Sequence, residues 1–191
     1  MTTPAIAPTS PADADLPAAV VDAEGLRRVA AVPFSAPAGF RPLELDVVLP
    51  RASPTPSPVV VFFHGGGWRF GDRRAVGPSY ETAEVFARFA RAGMAVATVD
   101  YRLSGEARWP AQLHDAREAV AWLRRRGPEL GLDTERVVAW GESAGGHLAS
   151  MLGVAGPPLL DEPAHLAAVV AWYAPSDLAA LPVRHFDGRS M

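Results

Sequence analysis

A chain of 191 residues, 49% hydrophobic and 20% charged, has the size and composition of one soluble globular domain. Its formal charge of −3 comes without a basic stripe, which argues against nucleic acid as a partner; the densest basic run, Arg124-Arg125-Arg126, falls at the end of a predicted helix, where cations complement the dipole. Cysteine is absent, which excludes disulfides and thiolate metal sites, and no apolar run reaches transmembrane length.

Residues 1–25, rich in Ala, Pro, Thr and Asp, lack the basic start and apolar core of a signal peptide, so a disordered tail and a cytoplasmic location are expected, with the domain occupying residues 26–191. Residues 26–33 and 43–49 suit an antiparallel hairpin at the sheet edge, the second alternating apolar and polar with period two. After a Pro/Ser linker over 50–58, Val59-Val60-Val61-Phe62-Phe63 reads as a strand buried on both faces. A helix is expected over residues 80–91, with Val85, Phe86 and Phe89 on one face, and a second buried strand over 94–99. Next comes an amphipathic helix burying Leu113, Ala116, Val120 and Leu123. A turn at Gly131-Leu132-Asp133 leads into a strand ending near Trp140, followed by a helix over 143–152 and a strand over 167–173. Strands alternating with helices predict an α/β fold, a mainly parallel sheet with helices on both faces. In such sheets the chemistry gathers at the carboxyl ends of the strands, and residues 64–68, 100–103, Ser143 and 174–178 all fall there.

The pattern Gly141-Glu142-Ser143-Ala144-Gly145 follows an apolar run and opens a small-residue helix. A chain that leaves a strand and enters a helix in one sharp turn crowds the positions two before and two after the apex, which Gly141 and Gly145 satisfy by lacking a Cβ. Ser143 at the apex then takes a strained conformation, presents its hydroxyl as a nucleophile and sits at a helix N-terminus, where partial positive charge favours an anion. The competing reading is a Gly/Ser turn that only caps a helix.

Acyl transfer also needs donors for the developing oxyanion. His64-Gly65-Gly66-Gly67-Trp68 directly follows a buried strand, and its glycines let backbone amides approach a substrate oxygen. Gly65 and Gly66, with the amide of Ala144, are the expected oxyanion hole. A phosphate-cradling loop is disfavoured because the Lys-Ser/Thr of a P-loop is missing. Trp68 is either a wall of the acyl or alcohol pocket or a packing residue.

These segments, with Gly71-Asp72, Asp100-Tyr101-Arg102-Leu103, Trp109-Pro110, His114-Asp115 and Trp172-Tyr173-Ala174-Pro175-Ser176-Asp177-Leu178, resemble the α/β-hydrolases of the bifunctional feruloyl/acetyl-xylan esterase-like group. That group neighbours the hormone-sensitive-lipase-like esterases and the kynurenine formamidases. The resemblance covers about residues 43–178. It implies Ser143 as nucleophile, Gly65, Gly66 and Ala144 as oxyanion donors, and His64, Trp68 and Glu142 at the substrate pocket. It also implies that Asp72, Asp100 and Arg102 form a buried charge network holding the site loops. Glu142 would tune the site electrostatically or act as an exposed capping charge.

In α/β-hydrolases the triad runs Ser, Asp or Glu, then His, with acid and base after the last two strands. The chain ends at Met191, so the resemblance implies that those strands are missing and the chain is truncated at its C-terminus. His64 precedes the serine, His114 and His147 lie on predicted helices, and His165 precedes a strand. Only His185 follows a candidate acid, Asp177, although the resemblance assigns Asp177 to a structural loop. Loss of the last strands would leave residues 167–173 as a bare apolar edge open to self-association.

The expected function is hydrolysis of small acyl or feruloyl/acetyl esters, small-molecule substrates, through an acyl-Ser143 intermediate, with no cofactor, membrane or nucleic acid involved. Two alternatives stand beside it: a non-catalytic module that binds acyl groups or is completed by a partner, and an arylformamidase resembling the kynurenine formamidases. A metal mechanism is disfavoured, because no His/carboxylate pair has metal spacing on one helix face.

Overall fold

In the computed structural model, which describes residues 10–77 and 81–181, the run Val59-Val60-Val61-Phe62-Phe63 lies deep in a seven-stranded sheet as part of β4 (Ser57–Phe63). The other strands are β1 (Val20–Val21), β2 (Arg27–Ser35), β3 (Leu43–Leu49), β5 (Ala95–Val99), β6 (Leu132–Glu142) and β7 (Ala168–Trp172), in the order β1-β2-β3-β5-β4-β6-β7. From β5 through β7 every pairing is parallel, while β1, β2 and β3 add an antiparallel half that meets the parallel half at β3 and β5.

Both faces of β4 are covered, which is why its sequence is continuously apolar rather than alternating. Val59, Val61 and Phe63 belong to the core under α2 (Ala111–Arg126) and α3 (Ala144–Val154). Val60 and Phe62 face the opposite layer, where Phe86, Ala87 and Ala90 of α1 (Thr82–Arg91) pack with Trp140. The rings of Phe62 and Trp140 lie 4.5 Å apart and tilted, a favourable aromatic geometry.

The winding order locates the site. From β4 the chain crosses to β5 on one side, and from β5 it returns across β4 to β6 on the other, so the two connections diverge at the carboxyl end of β4. Phe63 is in register with Gly141, which sets the loop after β4 beside the turn after β6.

Three expectations are corrected. Residues 10–25 are not a loose tail: Pro11–Asp13 form a short 3-10 helix, Ala12 is buried, and β1 pairs with β2. The cause is the fully buried Trp122, whose indole N–H needs an acceptor and finds the Ala12 carbonyl at 3.0 Å. The first helix begins at Thr82, and Tyr80 lies outside the described residues. Leu132 and Asp133 belong to β6 rather than to a turn, because Leu132 is buried and paired with Ser57; only Gly131, at φ 78°, makes the turn.

At the far edge, β7 pairs with β6 alone among the described residues, and all five of its residues are exposed. None of the described helices is long and apolar enough to cross a membrane.

Candidate active site

Ser143 stands between β6 and α3 with φ 51° and ψ −117°, a conformation that costs a non-glycine residue about 1–3 kcal/mol. Its amide donates to the Trp172 carbonyl at 2.9 Å, and its carbonyl accepts the His147 amide at 3.0 Å, so backbone bonds on both sides hold the apex. A Cβ on Gly141 would lie 2.2 Å from the Gly145 carbonyl oxygen, which is the expected crowding across the turn. Gly145 is needed for a different reason: a Cβ there would meet the Phe63 carbonyl at 1.9 Å and that of His64 at 2.5 Å. The first turn of α3 is therefore pressed onto the end of β4.

That contact brings the glycine loop to the elbow. Gly66 (φ 112°) and Gly67 (φ 58°) use the left-handed backbone that glycine adopts without penalty. Among the described residues no hydrogen bond engages the Gly65 or Gly66 amide. Ala144, as first residue of α3, has no acceptor within its own helix. The three expected donors are thus carried by the two backbone segments that meet at Ser143.

His64 is buried beneath the loop. Its Nδ1 donates to the Gly65 carbonyl at 2.7 Å, its ring stacks on Tyr101 at 4.3 Å, and its own carbonyl accepts the Tyr101 hydroxyl at 2.9 Å. Burial pushes its pKa down against the bond to Gly65 and the charges of Asp100, Asp72 and Glu142. Tyr101 is pushed upward, chiefly by burial and then by Glu142. His64 touches a cavity of about 230 Å³ with Gly65, Gly66, Gly71, Gly77 and Glu142, but it is only 2% exposed. Its visible work is to shape the loop.

Glu142 differs from the exposed capping charge considered above. It is the last residue of β6 and 4% exposed, with Oε1 accepting the Gly77 amide and Oε2 the Tyr173 hydroxyl, each at 2.6 Å. Such bonds to a carboxylate are of the strong, charge-assisted kind. Trp68, at φ 58°, lines a second cavity of about 260 Å³ with Trp109, His147 and Leu178, and its ring meets His147 edge-on at 5.2 Å. Burial lowers the pKa of His147 as well.

The charge network is real but differently wired. Arg102 forms a forked pair with Asp115 of α2, its Nη2 lying 2.6 Å from Oδ1. Asp72 caps the Arg74 amide at 2.7 Å. Asp100 instead receives Arg73, which sequence reasoning passed over: its Nη1 lies 2.7 Å from Asp100, its Nε 2.9 Å from Asp46 and its Nη2 2.8 Å from Glu44. Burial weakens the hold of this guanidinium on its proton, but the carboxylates of Asp46 and Asp100 outweigh it and keep its pKa above the ordinary arginine value. Asp115 and Tyr173 were quoted only as parts of the resembling segments, without these roles, and Gly77 was missed; the Glu142 bonded by Tyr173 and Gly77 lies 31 and 65 residues from them, and for Arg73 only its adjacency to Gly71-Asp72 offered a signal.

Asp177 caps the Ala179 and Ala180 amides at 3.0 and 3.1 Å, and His185 lies outside the described residues. No hydrogen bond joins Ser143 to an imidazole among the described residues: His114 bonds the Leu159 carbonyl, and the His165 carbonyl receives Arg124. No group of three or more His, Asp or Glu among the described residues is placed to hold a metal ion.

A strand-to-helix elbow bearing serine, facing a glycine loop at the carboxyl end of a mixed sheet, defines an α/β-hydrolase with an esterase-like site. The BD-FAE family model matches residues 45–190, and the chain belongs to that family. Carboxylesterase NlhH of Mycobacterium tuberculosis is 35% identical over 136 residues, 68% of this chain and 38% of its own length. Esterase LipI of the same organism is 34% identical over 155 residues, 76% of this chain and 45% of its own. A thermophilic esterase from Thermogutta terrifontis superposes with a TM-score of 0.60 at 26% identity, over 75% of this chain and 52% of that one. The chain thus spans about half or less of the length of these relatives.

Proposed function

We propose that this chain carries the nucleophile and oxyanion hole of a serine carboxylic ester hydrolase acting on small acyl, acetyl or feruloyl esters. Ser143 Oγ adds to the ester carbonyl carbon as its proton passes to a general base, and the carbonyl electron pair moves onto oxygen. There the Gly65, Gly66 and Ala144 amides donate to it. Collapse expels the alcohol, which takes the proton from the base and leaves acyl-Ser143; water repeats the sequence and releases the acid. The base is an imidazole beyond those described above, and His185 is the candidate from chain order. Trp68 forms a wall of the acyl or alcohol pocket.

One observation carries this reading: the strained backbone of Ser143 at a turn whose Gly145 packs so closely on the end of β4 that an added Cβ would stand 1.9 Å from the Phe63 carbonyl oxygen. A turn that only capped a helix would have no use for that strain, and Ser143 makes no capping bond with its side chain. The esterase relatives support the same chemistry.

Burst kinetics with p-nitrophenyl acetate, beside Ser143→Ala, test it. A stoichiometric burst of nitrophenol that the substitution abolishes is expected. Equal release by both proteins would refute Ser143 as nucleophile.

A further inference from the structure

The glycine loop does not hold its own shape; the segment that follows it does. The Gly66 carbonyl accepts the amides of Arg69 at 3.0 Å and Phe70 at 3.2 Å, and the Phe70 carbonyl comes so near that a Cβ on Gly66 would stand 2.0 Å from it. Gly71 lies flush against the loop from below, where an added Cβ would be 2.7 Å from His64 Nδ1 and 3.0 Å from the Gly65 carbonyl. At the other end of the segment, Gly77 is tied to Glu142. Residues 69–77 thus form a strap whose near side packs on the backbone of Gly65 and Gly66.

Between those ends the strap is anchored twice: Val76 is fully buried against the α1 layer, and Arg73 makes the polar anchor. Arg73 is 6% exposed, and besides its three side-chain pairs its amide donates to Asp100 Oδ1 at 3.0 Å. The acceptors sit on rigid elements: Glu44 and Asp46 are two apart on β3 and so share a face, and the Asp100 amide is bonded to the Glu44 carbonyl at 3.0 Å. Asp46 also receives the Ala31 amide from β2 at 2.7 Å. Three carboxylates converging on one planar guanidinium make an orienting device as well as a charge balance, because the donors of arginine leave in fixed directions.

We propose that Arg73 is a positioning residue for the oxyanion hole, bolting the strap to Glu44, Asp46 and Asp100 and so fixing where the Gly65 and Gly66 amides point. The proposal rests on the oxyanion role assigned under Proposed function, but its first test needs no turnover. Hydrogen exchange read by mass spectrometry compares wild type with Arg73→Met, Arg73→Lys and the milder Glu44→Gln. Arg73→Met raises exchange across the strap, residues 69–77, whose amides are hydrogen-bonded, by about tenfold or more while β4 and β6 change by less than about twofold, as local opening does. Lysine, with charge but no fork, gives an intermediate increase, and Glu44→Gln a smaller one in the same segment. An unchanged strap, or a rise shared equally by β4 and β6, would overturn the proposal, since Arg73 would then serve only global stability. Should Arg73→Met not fold, Glu44→Gln decides by the same criterion.

Turnover of p-nitrophenyl acetate adds a second readout. Misaligned donors lower kcat by about tenfold or more with KM within about twofold, because an oxyanion donor acts in the transition state. Unchanged kcat in Arg73→Met would overturn the proposal. No turnover by wild type counts against the hydrolase reading instead, and exchange alone then decides the role of Arg73.

Discussion

Replacing Gly145 by alanine tests the elbow directly. The added Cβ would stand 1.9 Å from the Phe63 carbonyl oxygen, whereas real Cβ atoms essentially never come within 3.0 Å, so the two must separate by at least 3.0 − 1.9 = 1.1 Å. Neither side yields cheaply: the obstacle is backbone in the central strand, and α3 is fastened by the Ser143 amide to Trp172. We expect a loss at the top of the overpacking range, about 3 kcal/mol, which lowers Tm by about 6–12 °C for a domain of this size. Urea unfolding followed by fluorescence of the five tryptophans measures it. Gly153→Ala is the informative control. Its Cβ would also come too close, 2.8 Å from Val169 Cγ2, but that is an edge-strand side chain that can rotate away. There the gain in helix propensity, about 1 kcal/mol, offsets the squeeze, and stability stays near wild type. A loss below about 1 kcal/mol for Gly145→Ala would refute the claim that α3 is seated on β4 through this glycine. Gly141→Ala pushes the same helical turn outward, so the double substitution should cost less than the sum of the singles by about 1 kcal/mol or more.

Glu142→Gln keeps the shape but turns an amide toward one of two donors, Gly77 N–H or Tyr173 O–H; a loss of about 1–3 kcal/mol in urea unfolding is expected, and no change would show that this carboxylate is not needed as a double acceptor. His64 has a folded-state pKa below its unfolded value near 6.5, so the unfolded chain binds the proton first. Its share of stability is fully present above about pH 6.5 and falls as pH drops toward the folded value, with a slope of up to about 1.4 kcal/mol per pH unit. Half-exposed His147, also lowered by burial, adds a slope of the same sign. Unfolding from pH 7.5 to 5 with His64→Gln should show a shallower fall; an equal fall would clear His64 of the effect.

Much of this architecture could be read before any coordinates. Val59 to Phe63 is too short and too β-branched for a helix and too uniformly apolar for an exposed strand, which left a central strand as the physical option. The elbow was legible because its steric demand falls on residues adjacent in sequence. Arg73 was not, because nothing local separates it from Arg74: one is buried among three carboxylates and the other is exposed, and the difference is made by Glu44, Asp46 and Asp100, each 27 to 29 residues away. The packing of residues 10–25 failed for the same reason at longer range, since the acceptor for Trp122 lies 110 residues upstream. Of the two readings open for Glu142, the exposed cap treated the start of a helix as surface, whereas the strand before it is central and the strap covers it.

Strain at the site shows how the segments depend on one another. Of the five non-glycine residues with positive φ among those described, Trp68, Ser143 and Tyr173 belong to the three loops leaving β4, β6 and β7. Each such residue costs about 1–3 kcal/mol and persists only where neighbours over-determine it. Trp68 is held by the Ser104 amide on its carbonyl at 2.7 Å, and Ser143 by the bond from its amide to Trp172. Tyr173, 66% exposed, sends its hydroxyl back to Glu142, the residue before Ser143. Beside the bonds within each loop, these restraints run from one loop to another, so the unfavourable backbone of each depends in part on the others being in place. Strain relieved at one loop should therefore loosen the rest, and the strap anchored by Arg73 is tied into this set through Gly77 and Glu142.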